Sequence, residues 1–224
     1  MLTHNDTTVP EAARVYESLR GNGLRYVGFK DIGATPEELA AVADKAHADG
    51  LEVFLEVVST SREAEIVSLR TGREIGVDFI MGGTSVSDGL EILAGTRVRY
   101  LPFPGRIEGH PSVLLGTSAE IAADAREMTA QKGVYGLDLL AFRHPTEDPI
   151  ALTAAVVAAS SGPVVVAGSI ATAEQIRLVT GAGAWAFTIG GAIFEGRLPG
   201  GPGVGAQAAA VLQIAAVAGA GGRS

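Results

Sequence analysis

The chain has no cysteine in its 224 residues. Disulfides, thiolate zinc sites and cysteine nucleophiles are therefore excluded. Lysine is scarce too: Lys30, Lys45 and Lys132 are the whole complement. No basic run is present, and the formal net charge is −8. Without clustered cations, the counterion release that drives general nucleic-acid binding is missing, so nucleic acid is not an expected partner. A small anionic substrate stays open, because it needs only a local positive pocket. The opening MLTHNDTTVPEA has neither the basic nor the apolar part of a secretory signal. The apolar stretch AQAAAVLQIAAVAGA is too short to span a bilayer. A soluble, cytoplasmic protein with no membrane partner is expected.

What is present is a regular alternation. Hydrophobic residues make up 47% of the chain and charged residues 19%, enough apolar side chain for a sizeable core. Short β-rich runs (RYVGFK, LEVFLEVV, VDFIM, VRYLPF, VYGLDLLAF, PVVVAG, WAFTIG) are separated, for the most part, by helical patterns. Several of these open on a Ser or Thr cap followed by a carboxylate. Thr35-Pro36-Glu37-Glu38 combines the cap, an N1 proline and acids on the positive helix end. Strand alternating with helix predicts parallel strands joined by right-handed crossovers.

Seven clear strands need one more to close a barrel. Only about eight residues separate VRYLPF from SVLLGT at 112–117, too few for a parallel crossover. MLTHND is therefore taken as strand one, with VPEAARVYESLRG as its helix, and 104–117 as a long loop after strand five. A Gly-rich loop at 196–205 precedes the last helix. The fold class expected is α/β, a single (β/α)8 TIM barrel over 1–224, with a doubly wound open sheet as the rival.

Alternation along the strands places polar residues inward. In YVGFKD, Val27 and Phe29 face the helices, so Lys30 faces the interior. In LEVFLEVV the inward set is Glu52, Phe54, Glu56 and Val58; in VYGLDLLAF it is Gly136, Asp138, Leu140 and Phe142. In WAFTIG, Trp185, Phe187 and Ile189 go outward. Lys30 and Glu56 fall at strand ends, where this fold carries its active sites. Glu52 and Asp78 fall at strand starts and are read as structural.

VVVAGSIATAEQI turns on Gly168-Ser169, and TIGGAIFEG turns on Gly190-Gly191. Glycines let a backbone approach an anion closely and offer it N–H groups. Tight βα turns are the plain alternative. The segment from about 163 to 197 resembles the ending of the ribulose-phosphate-binding barrel superfamily. That resemblance implies a phosphorylated small-molecule substrate with its phosphate on Gly168, Ser169, Gly190 and Gly191. It does not fix the reaction. The decarboxylase signature Asp-x-Lys-x-x-Asp is absent, since strand three reads FLEVVST. The epimerase His-x-Asp pairing occurs as His4-Asn5-Asp6, but on strand one. Lys30 also resembles the Schiff-base lysine of the furan-aldehyde phosphate synthase of methanogens, whose second lysine has no counterpart here.

The catalytic candidates are Lys30, Glu56, Asp138 and Asp6. A desolvated lysine can form a Schiff base with a carbonyl or stabilise an enolate as a fixed cation. Glu56 or Asp138 can move a proton next to a carbonyl. A structural Lys30–Glu56 pair closing the barrel mouth is the alternative. Arg143 and His144 follow strand six and are candidates for binding a carboxylate or the phosphate. No residue set has metal-ligand spacing, so no metal or other cofactor is expected. The 104–117 loop has the length of a lid or an oligomer contact, from which Arg106 and His110 can reach substrate. Homo-oligomerisation is expected only by analogy. These readings favour a carbon–carbon lyase acting on a phosphorylated keto or aldehyde metabolite through an enolate or imine. An isomerase or epimerase using acid–base catalysis is the second reading, and a non-catalytic phospho-ligand-binding barrel the third.

Overall fold

In a computed structural model, which describes residues 1–221, five helices begin on a side-chain cap. Thr3–His4 (β1) and Thr7–Thr8 (β2) form a small antiparallel hairpin, followed by helix α1, Ala12–Glu17. Then come β3 (Tyr26–Lys30), α2 (Pro36–Ala48), β4 (Glu52–Val57), α3 (Arg62–Ile75), β5 (Phe79–Gly82), α4 (Val86–Leu93) and β6 (Arg99–Leu101). A second antiparallel hairpin pairs β7 (Arg106–Glu108) with β8 (Val113–Leu115). Helix α5 (Ser118–Thr129) leads to β9 (Leu137–Leu139), a 3-10 turn at Ala141–Arg143 and α6 (Pro149–Ala159). The chain continues through β10 (Val164–Val166), α7 (Ala173–Gly181), β11 (Ala186–Phe187), α8 (Gly191–Phe194) and α9 (Val204–Gly221).

The caps act as their chemistry predicts. Thr35 and Glu38, Thr117 and Glu120, and Thr172 and Gln175 each form a reciprocal capping box. Each satisfies two backbone N–H groups that a helix start otherwise leaves open. Asp148 caps α6 ahead of Pro149, and Gly76 closes α3 in the left-handed region at φ 78°.

The ladders form two parallel sheets, β3-β4-β5-β6 and β9-β10-β11, rather than one uninterrupted eight-stranded cylinder. The strands at the gaps are too short to sustain a ladder, and single backbone bonds take its place. Between β6 and β9, Tyr135 N–H donates to Tyr100 O (2.8 Å) and Asp138 N–H to Pro102 O (3.1 Å). At the other gap, Leu2 N–H donates to Gly28 O (2.7 Å) and the Met1 amino group to Ile189 O (2.8 Å).

Other expectations shift in detail. MLTHND is a hairpin arm and not a full strand, because Asn5 and Asp6 turn the chain back. The 104–117 loop contains the β7–β8 hairpin. VYGLDLLAF stops extending at Leu139, so Leu140 and Phe142 enter a tight turn. Trp185 precedes its two-residue strand, and its ring lies 5.9 Å from both Tyr26 and Phe79 instead of facing a helix.

The core is largely apolar on both faces of the sheets, broken on the strands by buried Lys30, Glu56 and Asp138. Phe54 and Phe79, paired in register, stack at 4.0 Å, with Tyr26 edge-on at 5.5 Å from Phe54. Full burial of a side chain such as Phe79 contributes about 1.5–3 kcal/mol. Arg99 lies 3.5 Å over the Phe79 ring and pairs with Glu52, so Glu52 sits in a structural contact at the strand starts. Asp78 likewise accepts Val53 N–H at 2.8 Å and contacts His47 at 2.9 Å.

Candidate active site

Lys30 ends β3 directly opposite Glu56 in the β3–β4 register. Side chains alternate along a strand, so matched residues on paired strands face the same side. Both side chains are almost fully buried, and Lys30 Nζ lies 3.4 Å from Glu56 Oε1.

The β1–β2 hairpin supplies the third group. Asn5 (φ 49°) and Asp6 (φ 63°) both occupy the left-handed region, as a two-residue hairpin turn requires, and Asn and Asp tolerate it. The Thr8 hydroxyl donates to Lys30 O and accepts from Lys30 N–H, each at 2.8 Å, which fixes the hairpin on the end of β3. Gly33 permits this approach, since a Cβ there would lie 2.5 Å from Thr8 O. Asp6 is thereby held over Lys30, and Nζ donates to Oδ1 at 2.5 Å.

Arg143, on the 3-10 turn after β9, closes the cluster. Its Nη2 donates to Asp6 Oδ1 (2.6 Å) and its Nη1 to Asp6 Oδ2 (3.0 Å), a bidentate fork. The guanidinium passes so close to Gly168 that a Cβ there would lie 2.5 Å from Nε. Burial alone would raise the Asp6 carboxyl, but the Arg143 hydrogen bonds and the Lys30 charge hold it well below the usual carboxylate range.

Glu56 behaves oppositely. Burial pushes its carboxyl up, Lys30 opposes the rise and Asp6 adds to it. Asp138 is fully buried, and neither of its oxygens has a hydrogen-bond partner among the described residues. Burial, and then the nearby Glu56, raise its carboxyl well above the ordinary value. Burying a charged carboxylate without a partner is costly. The interior therefore combines one carboxyl held down between two cations with two that burial pushes up.

A cavity of about 600 Å³ opens on this cluster. Lys30, Glu56, Asp6 and Arg143 line it together with the Gly168-Ser169 and Gly190-Gly191 turns. Gly168 (φ 76°) and Ser169 (φ 60°) are both left-handed, a strained choice for a serine. The N–H groups of Gly168, Ser169, Gly190 and Gly191 find no acceptor among the described residues. Gly190 is needed for packing as well, because a Cβ there would lie 2.7 Å from Thr3 O.

Two candidate site residues stay outside this cavity. Asp138 lies in the interior and not on the lining. His144 spends its ring on backbone groups: Nε2 contacts Gly116 O, just after β8, at 2.6 Å, and Nδ1 accepts Glu147 N–H in its own loop at 2.9 Å. The β7–β8 hairpin brings Ser112 to the lining and His110 to 3.8 Å from Asp6, while Arg106 pairs with exposed Glu108. Residues the sequence reading did not assign also line the cavity, among them Glu195 and Arg197. Thr8 had a readable signal in the Asn-Asp hairpin turn before it. Among the described residues no group of three or more His, Asp or Glu side chains comes together as a metal would require. No helix there is long and apolar enough to cross a membrane.

No family model and no curated protein matches the chain. Solved structures do match in fold. A chain of the Amycolatopsis orientalis BexX/CysO complex is similar at TM-score 0.63 and 18% identity, over 98% of this chain and 91% of that one. The tryptophan synthase alpha chain of Legionella pneumophila subsp. pneumophila follows at TM-score 0.60 and 17% identity, over 95% and 87%. Mandelate oxidase bound to (S)-2-phenylpropionate gives TM-score 0.59 and 14% identity, over 91% of this chain and 65% of that one. At these identities the likeness is one of fold. The chain is thus an α/β protein built on parallel strands, similar in fold to TIM-barrel enzymes.

Proposed function

We propose that the two parallel sheets are arcs of one (β/α)8 barrel forming a single domain, and that its cavity is the active site of an enzyme acting on a phosphorylated carbonyl compound through an enolate. The observation that carries the reading is the joining, in one cavity, of four unpaired glycine-turn N–H groups with the Lys30–Asp6–Arg143 cluster. The N–H groups suit a phosphate, and the cations suit an oxyanion formed beside it. The enzymatic TIM-barrel neighbours favour catalysis over a silent binding role.

In this reading Lys30 acts as a fixed cation. An ammonium held by Asp6 and Glu56 is not a nucleophile, so its bonds favour charge stabilisation over imine formation. Glu56 carries the proton. Ionised, it removes a proton from the carbon next to the carbonyl, and the C–H electron pair becomes the enolate whose oxygen faces Lys30. Protonated, it returns that proton, so the enzyme ends as it began. A carboxyl raised by burial is a better base than a solvated one. Return to the former carbonyl carbon, with the hydroxyl proton of the carbon that lost its hydrogen passing to the first carbonyl oxygen, gives an isomerase; delivery to the original carbon on its opposite face by a second acid gives an epimerase. In a lyase the carbon–carbon electron pair becomes the enolate instead, Glu56 takes the hydroxyl proton of the departing carbon as that carbon becomes a carbonyl, and then gives it to the enolate carbon. Glu56 as a proton carrier on the cavity favours the isomerase; the cavity lysine Lys30 is what favours the lyase.

A panel of phosphorylated aldoses, ketoses and keto acids tests the reading. Turnover of at least one member, lowered at least about a hundredfold in Lys30→Met and in Glu56→Gln, is expected. A panel bound but never turned over would return the silent-barrel reading.

A further inference from the structure

A second cavity, of about 500 Å³, lies between β11 and β3. The hairpin arm bonds to Gly28 O and Ile189 O, and no ladder joins β11 to β3 among the described residues. Toward the strand starts the gap is spanned by side chains, Tyr26 and Trp185 with rings 5.9 Å apart. Helix α9 covers it from outside. Ala208, Val211, Leu212 and Ala215 fall at i, i+3, i+4 and i+7, one face of the helix, and all four line the cavity. Two of the four are alanines, whose short side chains leave the space open. Phe54 and Phe187 on the strands form the facing wall. Protein interiors hold few voids larger than a water molecule, so a cavity of this size, within the range of small-molecule sites, calls for an occupant.

Its mouth is distinct from that of the first cavity. Met1, Thr188 and Ile189 line both cavities, which therefore meet back to back. The second one opens at the strand starts, past Arg25 and Trp185, both exposed to solvent. Charge at this mouth is an independent observation. Arg25 Nε lies 3.9 Å from Glu52 Oε2, while Arg99 pairs with Oε1 of the same carboxylate. Among the described residues neither arginine has another carboxylate within ion-pair distance. Two guanidiniums thus share one carboxylate, and a positive charge is left over beside an apolar cavity.

We infer that this cavity binds a linear carboxylate amphiphile of the medium-chain fatty-acid class. The carboxylate sits at Arg25, and the alkyl chain runs inward between α9 and the β11–β3 gap. Burial of the chain drives binding, and the planar fork of arginine suits a carboxylate. The inference stands apart from the phosphate reading and uses none of its catalytic or phosphate-binding residues.

Trp185 is the sole tryptophan, so its emission reports on the mouth directly. Decanoate, added to the full chain well below its micelle concentration, should give a saturable blue shift with one site per chain. It should bind about 15-fold more tightly than octanoate, the worth of two buried methylenes. Arg25→Gln, at an exposed position, should weaken decanoate about tenfold and leave decanol unchanged. Ala215→Phe fills the cavity and should abolish the shift while the chain still melts cooperatively. If that variant fails to fold, the Arg25→Gln comparison still decides. No saturable shift, equal affinity for decanoate and decyltrimethylammonium, or decanoate binding unchanged in Arg25→Gln would overturn the inference. A dimer in light scattering that decanoate splits would give the cavity to a second copy of the chain, and overturn it too.

Discussion

The Nζ of Lys30 lies 2.5 Å from Oδ1 of Asp6, with each side chain more than nine-tenths buried. A β-strand end and a hairpin turn 24 residues apart in sequence thus share one buried charge pair. Arg143 makes that pair a triad, so the Asp6 carboxylate sits between two interior cations.

Removing Asp6 should therefore be costly. Asp6→Ala leaves Lys30 and Arg143 as uncompensated buried charges, and loss of about 3–5 kcal/mol of stability is expected. Urea denaturation at pH 7 checks this; a loss under about 1 kcal/mol would mean that the cluster is hydrated and the pairing weak.

The carboxyls make opposing contributions with pH. Asp6 is held below its unfolded value, so its stabilisation is complete above the ordinary carboxylate range and fades as pH falls below it. Glu56 and Asp138 are raised, so the folded chain binds more protons than the unfolded one above that range, and stability declines as pH rises. Asp138→Asn cannot ionise and should flatten the decline between pH 5 and pH 8. Denaturation midpoints across that window measure it, and an unchanged slope would contradict a protonated Asp138.

The two glycines of the strand-eight turn should separate packing from binding. Gly190→Ala drives a Cβ against the Thr3 backbone and should destabilise the fold by about 1–3 kcal/mol, the usual cost of overpacking. Gly191→Val meets only ordinary contacts at its Cβ and should keep stability while blocking anion binding. Melting temperature and sulfate affinity, measured on both variants, distinguish the two effects.

Loss of the Lys30 cation should lower turnover by about 10²- to 10³-fold in Lys30→Met, the range for removing one preorganised oxyanion contact. Because Lys30 is read as an ammonium, borohydride reduction with substrate should add no mass to it. A trapped adduct on Lys30 would establish imine chemistry instead.

Local order carried the parts of this site that were legible in the sequence. Strand parity alone turns Lys30 and Glu56 to the same side, because alternation is a property of the strand itself. The glycine turns were legible for the same reason. Arg143's grip on Asp6 was not, since it spans 137 residues and depends on how two loops meet. His144 looked equivalent to its neighbour Arg143, yet the turn after β9 directs its ring to backbone groups of Gly116 and Glu147 and away from the cavity. In MLTHND the Asn5-Asp6 turn overrides any extended preference. The uninterrupted ladder failed where strands shorten to two or three residues and single backbone bonds bridge the gap.

The most direct measurement is a crystal structure of the full chain with an unreactive phosphorylated keto compound. The account predicts phosphate density against the N–H groups of Gly168, Ser169, Gly190 and Gly191, with the carbonyl oxygen directed at Lys30. Phosphate density elsewhere, or a carbonyl turned away from Lys30, would contradict it.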